Sequence, residues 1–183
     1  SGSPRHDPFF RERITNKNQF TKKIVVITPH PITSFSGEDT AILYSDYERT
    51  ISRLITKLKK FHGLSIIVKM HPGQNPHNEL IKNQIKAIDP KIPIYESTPI
   101  LNHLKSSSTV ITISPDIFPS TILLESYILK KPTMEIFLLN SIPQFDYVKD
   151  NSTLCVTHLE DFEKNLDEVI LKEPLRKIGR AHV

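Results

Sequence analysis

Two stretches of this chain carry residue types and spacings that could hold an anion. The first is VKMHPGQ at Val68–Gln74, where an apolar run ends on a histidine. The second is PSTILLESYILKKP at Pro119–Pro132, where two hydroxyl residues and a carboxylate follow a short strand-like run. Leu64–Met70 is β-branched and sits between Gly63 and Pro72-Gly73, the pattern of a buried parallel strand that stops at His71. Pro72 biases His71 towards an extended backbone. An imidazole there reaches the crevice at the carboxyl ends of the strands, where open α/β sheets bind ligands.

In the second stretch, Thr109–Ser114 (TVITIS) reads as a strand, with Pro115-Asp116 and Pro119 in the loop that follows. Ser120 is a good N-cap for a helix running to about Lys130. A helix start just beyond a strand end offers free N–H groups and the positive end of the helix dipole. Ser120 and Thr121 add hydroxyl donors, and Glu125, four residues after Thr121, shares its helix face. Hydroxyls for a phosphate, then a carboxylate for two sugar hydroxyls, is the chemistry a nucleotide needs. A second His-Pro pair, His30-Pro31, follows the first strand and faces the same cleft. Gln74 and Ser114 lie near the same strand ends, and the pattern leaves the facing of Lys69 open. Each of these residues also has an ordinary use. His71 could simply end a strand, Ser120 and Thr121 could cap a helix, and Glu125 could be solvated or pair with Lys130.

Composition removes several function classes. The 183 residues amount to about one domain. A net charge of +4 suits an anionic ligand but is far from a nucleic-acid-binding extreme, and no basic stripe interleaved with aromatics is present. One cysteine, Cys155, excludes an internal disulfide framework and a cysteine zinc site, and points to a reducing compartment. The eight histidines are scattered without a metal-ligand spacing. A Walker loop, a G-x-G-x-x-G and a G-x-S-x-G are all missing, which argues against NAD, ATP and serine-hydrolase sites. No apolar run approaches the ~20 residues of a membrane span.

The elements that must position these residues alternate. Ser1–Lys22 is polar and irregular. Lys23–Thr28 is a strand, and Ser45–His62 an amphipathic helix with Tyr47, Ile51, Leu54, Ile55, Leu58 and Phe61 inward, closed by Gly63. After the His71 strand, Asn78–Ile88 reads as a helix with Leu80, Ile81, Ile85 and Ile88 inward. Ile92–Tyr95 is a short strand and Pro99–Lys105 a short helix, with Pro99 in its first turn. Thr133–Leu138 and Thr153–Thr157 are strands, and Leu159–Leu171 is a helix with Phe162, Leu166, Val169 and Ile170 inward. Strand–helix alternation with short connections predicts a Rossmann-like three-layer α/β/α sandwich with a mostly parallel sheet of about six strands.

The motifs as they stand resemble those of the C-terminal, donor-binding half of GT-B-fold glycosyltransferases. The likeness is to enzymes of surface and capsular polysaccharide: Kdo, sialyl- and polysialyltransferases and CDP-glycerol glycerophosphotransferases, with the non-hydrolysing UDP-GlcNAc epimerases sharing the architecture. KMHPGQ (Lys69–Gln74) is similar to the family's His-Pro motif, and PSTILLE (Pro119–Glu125) to its serine-rich phosphate motif with the ribose-holding acid. GSPRHD (Gly2–Asp7) looks like the segment leading out of an N-terminal half, and Leu159–Lys177 like the helix near the family's end. Two departures matter. Lys130-Lys131-Pro132 stands where such families show Gly-Lys-Pro, so a lysine replaces the residue that adopts a left-handed backbone most easily. The second is larger: the N-terminal half, which would supply the catalytic base and bind the acceptor, is absent. The epimerases' Ser-Gly-Gly is also missing before Glu125, which ranks that reading lower.

The resemblance implies a linker or tag remnant over residues 1–22 and a nucleotide-sugar-binding domain over residues 23–177; residues 178–183 read, on their own letters, as a non-native tail. That tail, IGRAHV, looks like translated sequencing adapter, implying an assembled environmental sequence whose natural chain continues. The resemblance further implies a donor linked to CMP, CDP or UDP, no other cofactor and no metal. His71, Pro72, Ser120, Thr121, Glu125 and His30 would contact the donor. The catalytic base would come from the missing N-terminal half, leaving this chain inactive alone. The expected location is the cytoplasm, with the parent peripheral to the inner face of the membrane, and homo-oligomerisation is left open. A Rossmann-like interaction domain without chemistry is the reading from another class.

Overall fold

The computed structural model describes residues 4–15, 23–31, 38–72, 76–115, 120–150 and 152–171. Six parallel strands form one sheet: β1 (Lys23–Pro29), β2 (Leu64–Lys69), β3 (Ile94–Tyr95), β4 (Thr109–Ser114), β5 (Thr133–Phe137) and β6 (Leu154–Thr157). Their spatial order is β3-β2-β1-β4-β5-β6, so the chain winds one way from β1 and the other way from β4. The register sets Ile27 beside Val68 and Ile111, and Ile111 beside Met134. Alternation then sends two sets of side chains to opposite faces.

One face is the main core. Val25, Ile27, Val68, Ile111, Ile113, Met134 and Ile136 pack under three helices: α2 (Glu38–Leu58), α3 (Pro76–Ile88) and the last helix, Glu163–Leu171. Tyr47, Ile51, Leu54, Ile55 and Leu58 of α2 are buried there, as the helical spacing predicts. Phe162, Leu166, Val169 and Ile170 are buried too. Arg53 of α2 locks this C-terminal segment down. It donates to both oxygens of Glu163 at 2.7 Å and lies 4.5 Å over the Phe162 ring. The opposite face carries a smaller core, in which Phe9, Leu104, Val110, Ile128 and Leu129 meet. Both faces are covered, which is the expected three-layer α/β/α sandwich.

Several boundaries differ from the sequence expectation. Residues 1–22 are not uniformly irregular: Pro4–His6 forms a 3-10 turn and α1 spans Asp7–Thr15. Its helix begins on Asp7 and Pro8, good first-turn residues, and a single anchor, Phe9, buries it. Residue Leu80 is half exposed rather than inward; Asn78, Ile81 and Ile85 take the buried stripe, because Leu80 lies 100° round the helix from Ile81. Helix α2 starts at Glu38, upstream of Ser45, and ends at Leu58 before a turn in which Gly63 has φ 73°. The C-terminal helix begins at Glu163, leaving Leu159 exposed. Strand β3 shrinks to Ile94–Tyr95, and a short helix at Asp146–Lys149 was not anticipated. The 178–183 tail and Gln74 lie outside the described residues.

Helix α4 (Ile100–Ser106) has Pro99 at its N-cap, and α5 spans Thr121–Ile128. After α5 the backbone turns through Lys130 at φ 56°, the left-handed value that Gly adopts without cost. The next residue, Lys131, is buried and donates to the carbonyl of Ser107 at 2.7 Å, tying the end of α4 to the start of β5. Burial pulls its ammonium down to about 8. Because an L-residue loses ~1 kcal/mol in the left-handed region, Lys130→Gly is expected to stabilise the fold by up to about that amount. A denaturant midpoint that is unchanged or lowered in the variant would contradict this.

Candidate functional site

The geometry of the site follows from the strand order. Strands β1 and β4 are neighbours whose connections leave in opposite directions, so their carboxyl ends border the crevice where open sheets bind ligands. His30 directly follows β1. Its backbone N–H extends the ladder to the Ile113 carbonyl at 2.9 Å, and its own carbonyl accepts from the buried Tyr47 phenol at 2.7 Å. The backbone is thus held from the sheet on one side and from α2 on the other. The ring points across to α5, where Nε2 lies 2.8 Å from the Ser120 hydroxyl.

Ser120 is buried and sits at the N-cap of α5, but its hydroxyl makes no capping bond. The expectation that it caps by side chain is therefore corrected: the hydroxyl turns to His30 instead. Thr121 is exposed in the first turn, with Glu125 one turn on. One guanidinium nitrogen of Arg5 spans both, donating to Thr121 Oγ1 at 3.3 Å and to Glu125 Oε1 at 3.2 Å. The shared helix face is as expected. Of the two ordinary uses open to Glu125, solvation or pairing with Lys130, the structure shows neither: the carboxylate is buried and pairs with Arg5. Its Oε2 has no hydrogen-bond partner among the described residues. Burial pushes the Glu125 carboxyl above the usual range, opposed by Arg5 and His6.

His71 and Pro72 are exposed at the end of β2, which β1 separates from β4. The His71 carbonyl accepts from Asn78 Nδ2 at 3.3 Å. The structure therefore brings His30, Ser120, Thr121 and Glu125 together around α5, and sets His71 one strand further out. Lys69 faces inward: its buried ammonium donates to the carbonyls of Met70 at 2.7 Å and Glu96 at 2.8 Å. Burial lowers it, against the opposing charge of Glu96.

A second buried polar group escaped the sequence reading. Register sets Thr28, Thr112, Glu135 and Cys155 side by side on β1, β4, β5 and β6. Glu135 is fully buried; Ser114 donates to Oε1 at 2.6 Å and Tyr147 to Oε2 at 2.8 Å. Each strand shows one polar residue within an apolar run, so only the register reveals the row. Among the described residues, no cluster of His, Cys, Asp or Glu is arranged to hold a metal, and no helix is long and apolar enough to cross a membrane.

No protein-family model and no curated protein matches the chain. Solved structures do. The S. aureus MnaA–UDP complex is similar at TM-score 0.55 and 16% identity, over 94% of this chain and 40% of that one. The UDP-GlcNAc 2-epimerase of Methanocaldococcus jannaschii matches at 0.55 and 16%, over 93% and 44%. WaaG, a glycosyltransferase involved in lipopolysaccharide biosynthesis, matches at 0.52 and 13%, over 96% and 44%. At such identities the likeness is one of fold, the Rossmann-like half of a GT-B architecture. The chain spans about two-fifths of the length of these structures.

Two measurements test the electrostatics. With Glu125 raised above its ordinary 4.5, the folded chain holds more protons than the unfolded chain between the two values. Stability from this group therefore falls as pH rises through that window, and Glu125→Gln is expected to flatten the decline in denaturant midpoint. An equal decline in parent and variant would refute the assignment. Burial, then Glu135, pushes the Cys155 thiol up to about 12, so alkylation of the native chain at neutral pH is expected to be slower than in denaturant by ~10-fold or more. Equal rates would show the thiol is not held in this way.

Proposed function

We propose that this chain is the nucleotide-sugar-binding half of a GT-B-type glycosyltransferase that builds cell-surface polysaccharide. The observation that carries the proposal is the 2.8 Å pairing of His30 with Ser120 at the N-terminus of α5, beside the reversal of strand order. A phosphate seated there would meet the free N–H groups of the first turn, the hydroxyls of Ser120 and Thr121, and the His30 imidazole. Glu125 would take the ribose hydroxyls. His71, with Pro72 fixing its backbone, would approach the donor from the neighbouring strand end. In the transfer step an acceptor hydroxyl attacks the anomeric carbon, and these preorganised donors stabilise the departing nucleotide phosphate. The base that takes the acceptor's proton would belong to the other half of the parent protein, so this chain binds but does not turn over. The parent would work in the cytoplasm, at the inner face of the membrane.

A second reading is an epimerase that retains UDP while inverting a sugar centre. Its support is the epimerase matches in fold, and the UDP held by one matched structure. PSTILLE lacks the Ser-Gly-Gly that the epimerases carry, which ranks it second.

The test is calorimetric titration of the chain with CMP, CDP and UDP and their sugar conjugates. One of these bases should bind selectively. His30→Ala and Ser120→Ala should each weaken it by roughly tenfold, the worth of one hydrogen bond to a charged group. Leu124→Ala, on the exposed side of α5, should leave affinity unchanged. No binding at millimolar nucleotide, or binding indifferent to both site variants, would overturn the proposal and favour an interaction domain without chemistry.

A further inference from the structure

Glu125 presents a difficulty for any ligand. Its side chain is 2% exposed, so hydroxyls from outside cannot reach it in the arrangement observed. The Pro4–His6 turn lies against it, its Arg5 bridging Thr121 and Glu125 through one nitrogen. The turn is weakly bound. Arg5 is 61% exposed, no residue of the turn is buried as a whole, and both contacts are longer than 3 Å. It also satisfies its surroundings badly. Among the described residues, Glu125 Oε2 and His6 Nε2 are both enclosed without a hydrogen-bond partner. A buried acceptor left in that state is costly, and a ligand that donates to it removes the cost.

The chain that follows the turn is firmly held. Phe9 is in the smaller core, and Glu12 pairs with Lys105 of α4 at 2.7 Å. Residues 4–6 can therefore lift while α1 stays in place.

We propose that the Pro4–His6 turn is a strap over a diol subsite, with Arg5 standing in for the ligand hydroxyls that Glu125 accepts when the strap is displaced. The inference rests on the nucleotide reading above and adds a regulatory contact to it. Arg5 competes with the sugar rather than gripping the phosphate. A vicinal diol supplies two O–H donors, one replacing the Arg5 contact at Oε1 and one reaching the unpartnered Oε2. Ligand affinity is then reduced by the fraction of time the strap is closed.

The experiment titrates the chain with the ribonucleoside monophosphate it binds best and with its 2′,3′-dideoxy analogue. The expected result is that Arg5→Ala tightens ribonucleotide binding roughly two- to fivefold, the worth of one partly exposed ion pair. The dideoxy analogue should bind parent and variant alike, since it has no hydroxyls for Glu125. Arg5→Lys, which retains the charge, should return affinity towards the parent. Glu125→Gln should narrow the difference between the two ligands. Weaker binding of both ligands to Arg5→Ala would make Arg5 a phosphate ligand and overturn the strap. Unchanged binding of both would overturn it as well. In either case, sensitivity of the parent to His30→Ala and Ser120→Ala would leave the nucleotide reading standing. Absence of binding by every form would remove the strap together with that reading.

Discussion

The backbone of His30 is clamped between the sheet and α2, and the position of every other candidate residue is measured from that clamp. The ladder bond to Ile113 ties it to β4, and the Tyr47 phenol ties it to the core helix. Strands β1 and β4 are where the winding reverses, so their loops part and leave room above the sheet. A ring fixed there meets the first turn of α5, because α5 follows β4 across the same gap. The hydroxyl of Ser120 is consequently drawn from its usual capping role to the imidazole.

The two faces of the sheet are built for different ends. The face under α2, α3 and the C-terminal helix is almost wholly aliphatic and aromatic. The face under α1, α4 and α5 joins a small apolar cluster to the row of Thr28, Thr112, Glu135 and Cys155. A carboxylate in such a place needs donors, and Ser114 and Tyr147 supply them from two different elements. Ser114 ends β4, so its bond to Glu135 also fixes where the strand lets go and the loop towards α5 begins. The polar face is thus the one that carries the crevice, and the apolar face keeps the sheet rigid beneath it.

Much of this was legible in the sequence. The β-branched runs marked the strands, the 3.6-residue stripes of α2 and the C-terminal helix marked the main core, and Ser120, Thr121 and Glu125 marked one helix face. What could not be read depended on partners far along the chain. The motif put His71 ahead of His30, and only the strand order shows that His30 stands at the reversal, with His71 one strand away. Arg5 meets Glu125 across 120 residues, and α1 holds on by Phe9 with no stripe to announce it. Glu135 was hidden because a lone acid in TMEIF says nothing about which neighbours face it. Leu80 misled for the opposite reason: an apolar type next to a true core position passed for part of the stripe.

The rims of the sheet end in β3 with two residues and β6 with four. A short rim strand itself offers few unpaired backbone groups to an incoming strand, one of the ways natural sheets resist templating their own aggregation. The two rims are not equal: β6 pairs with residues 134–137, most of β5, whereas β3 pairs with only Val68 and Lys69 of β2. Among the described residues, residues 64–67 of β2 therefore have no strand on their outer side, and an added strand would find more purchase there than beside β6.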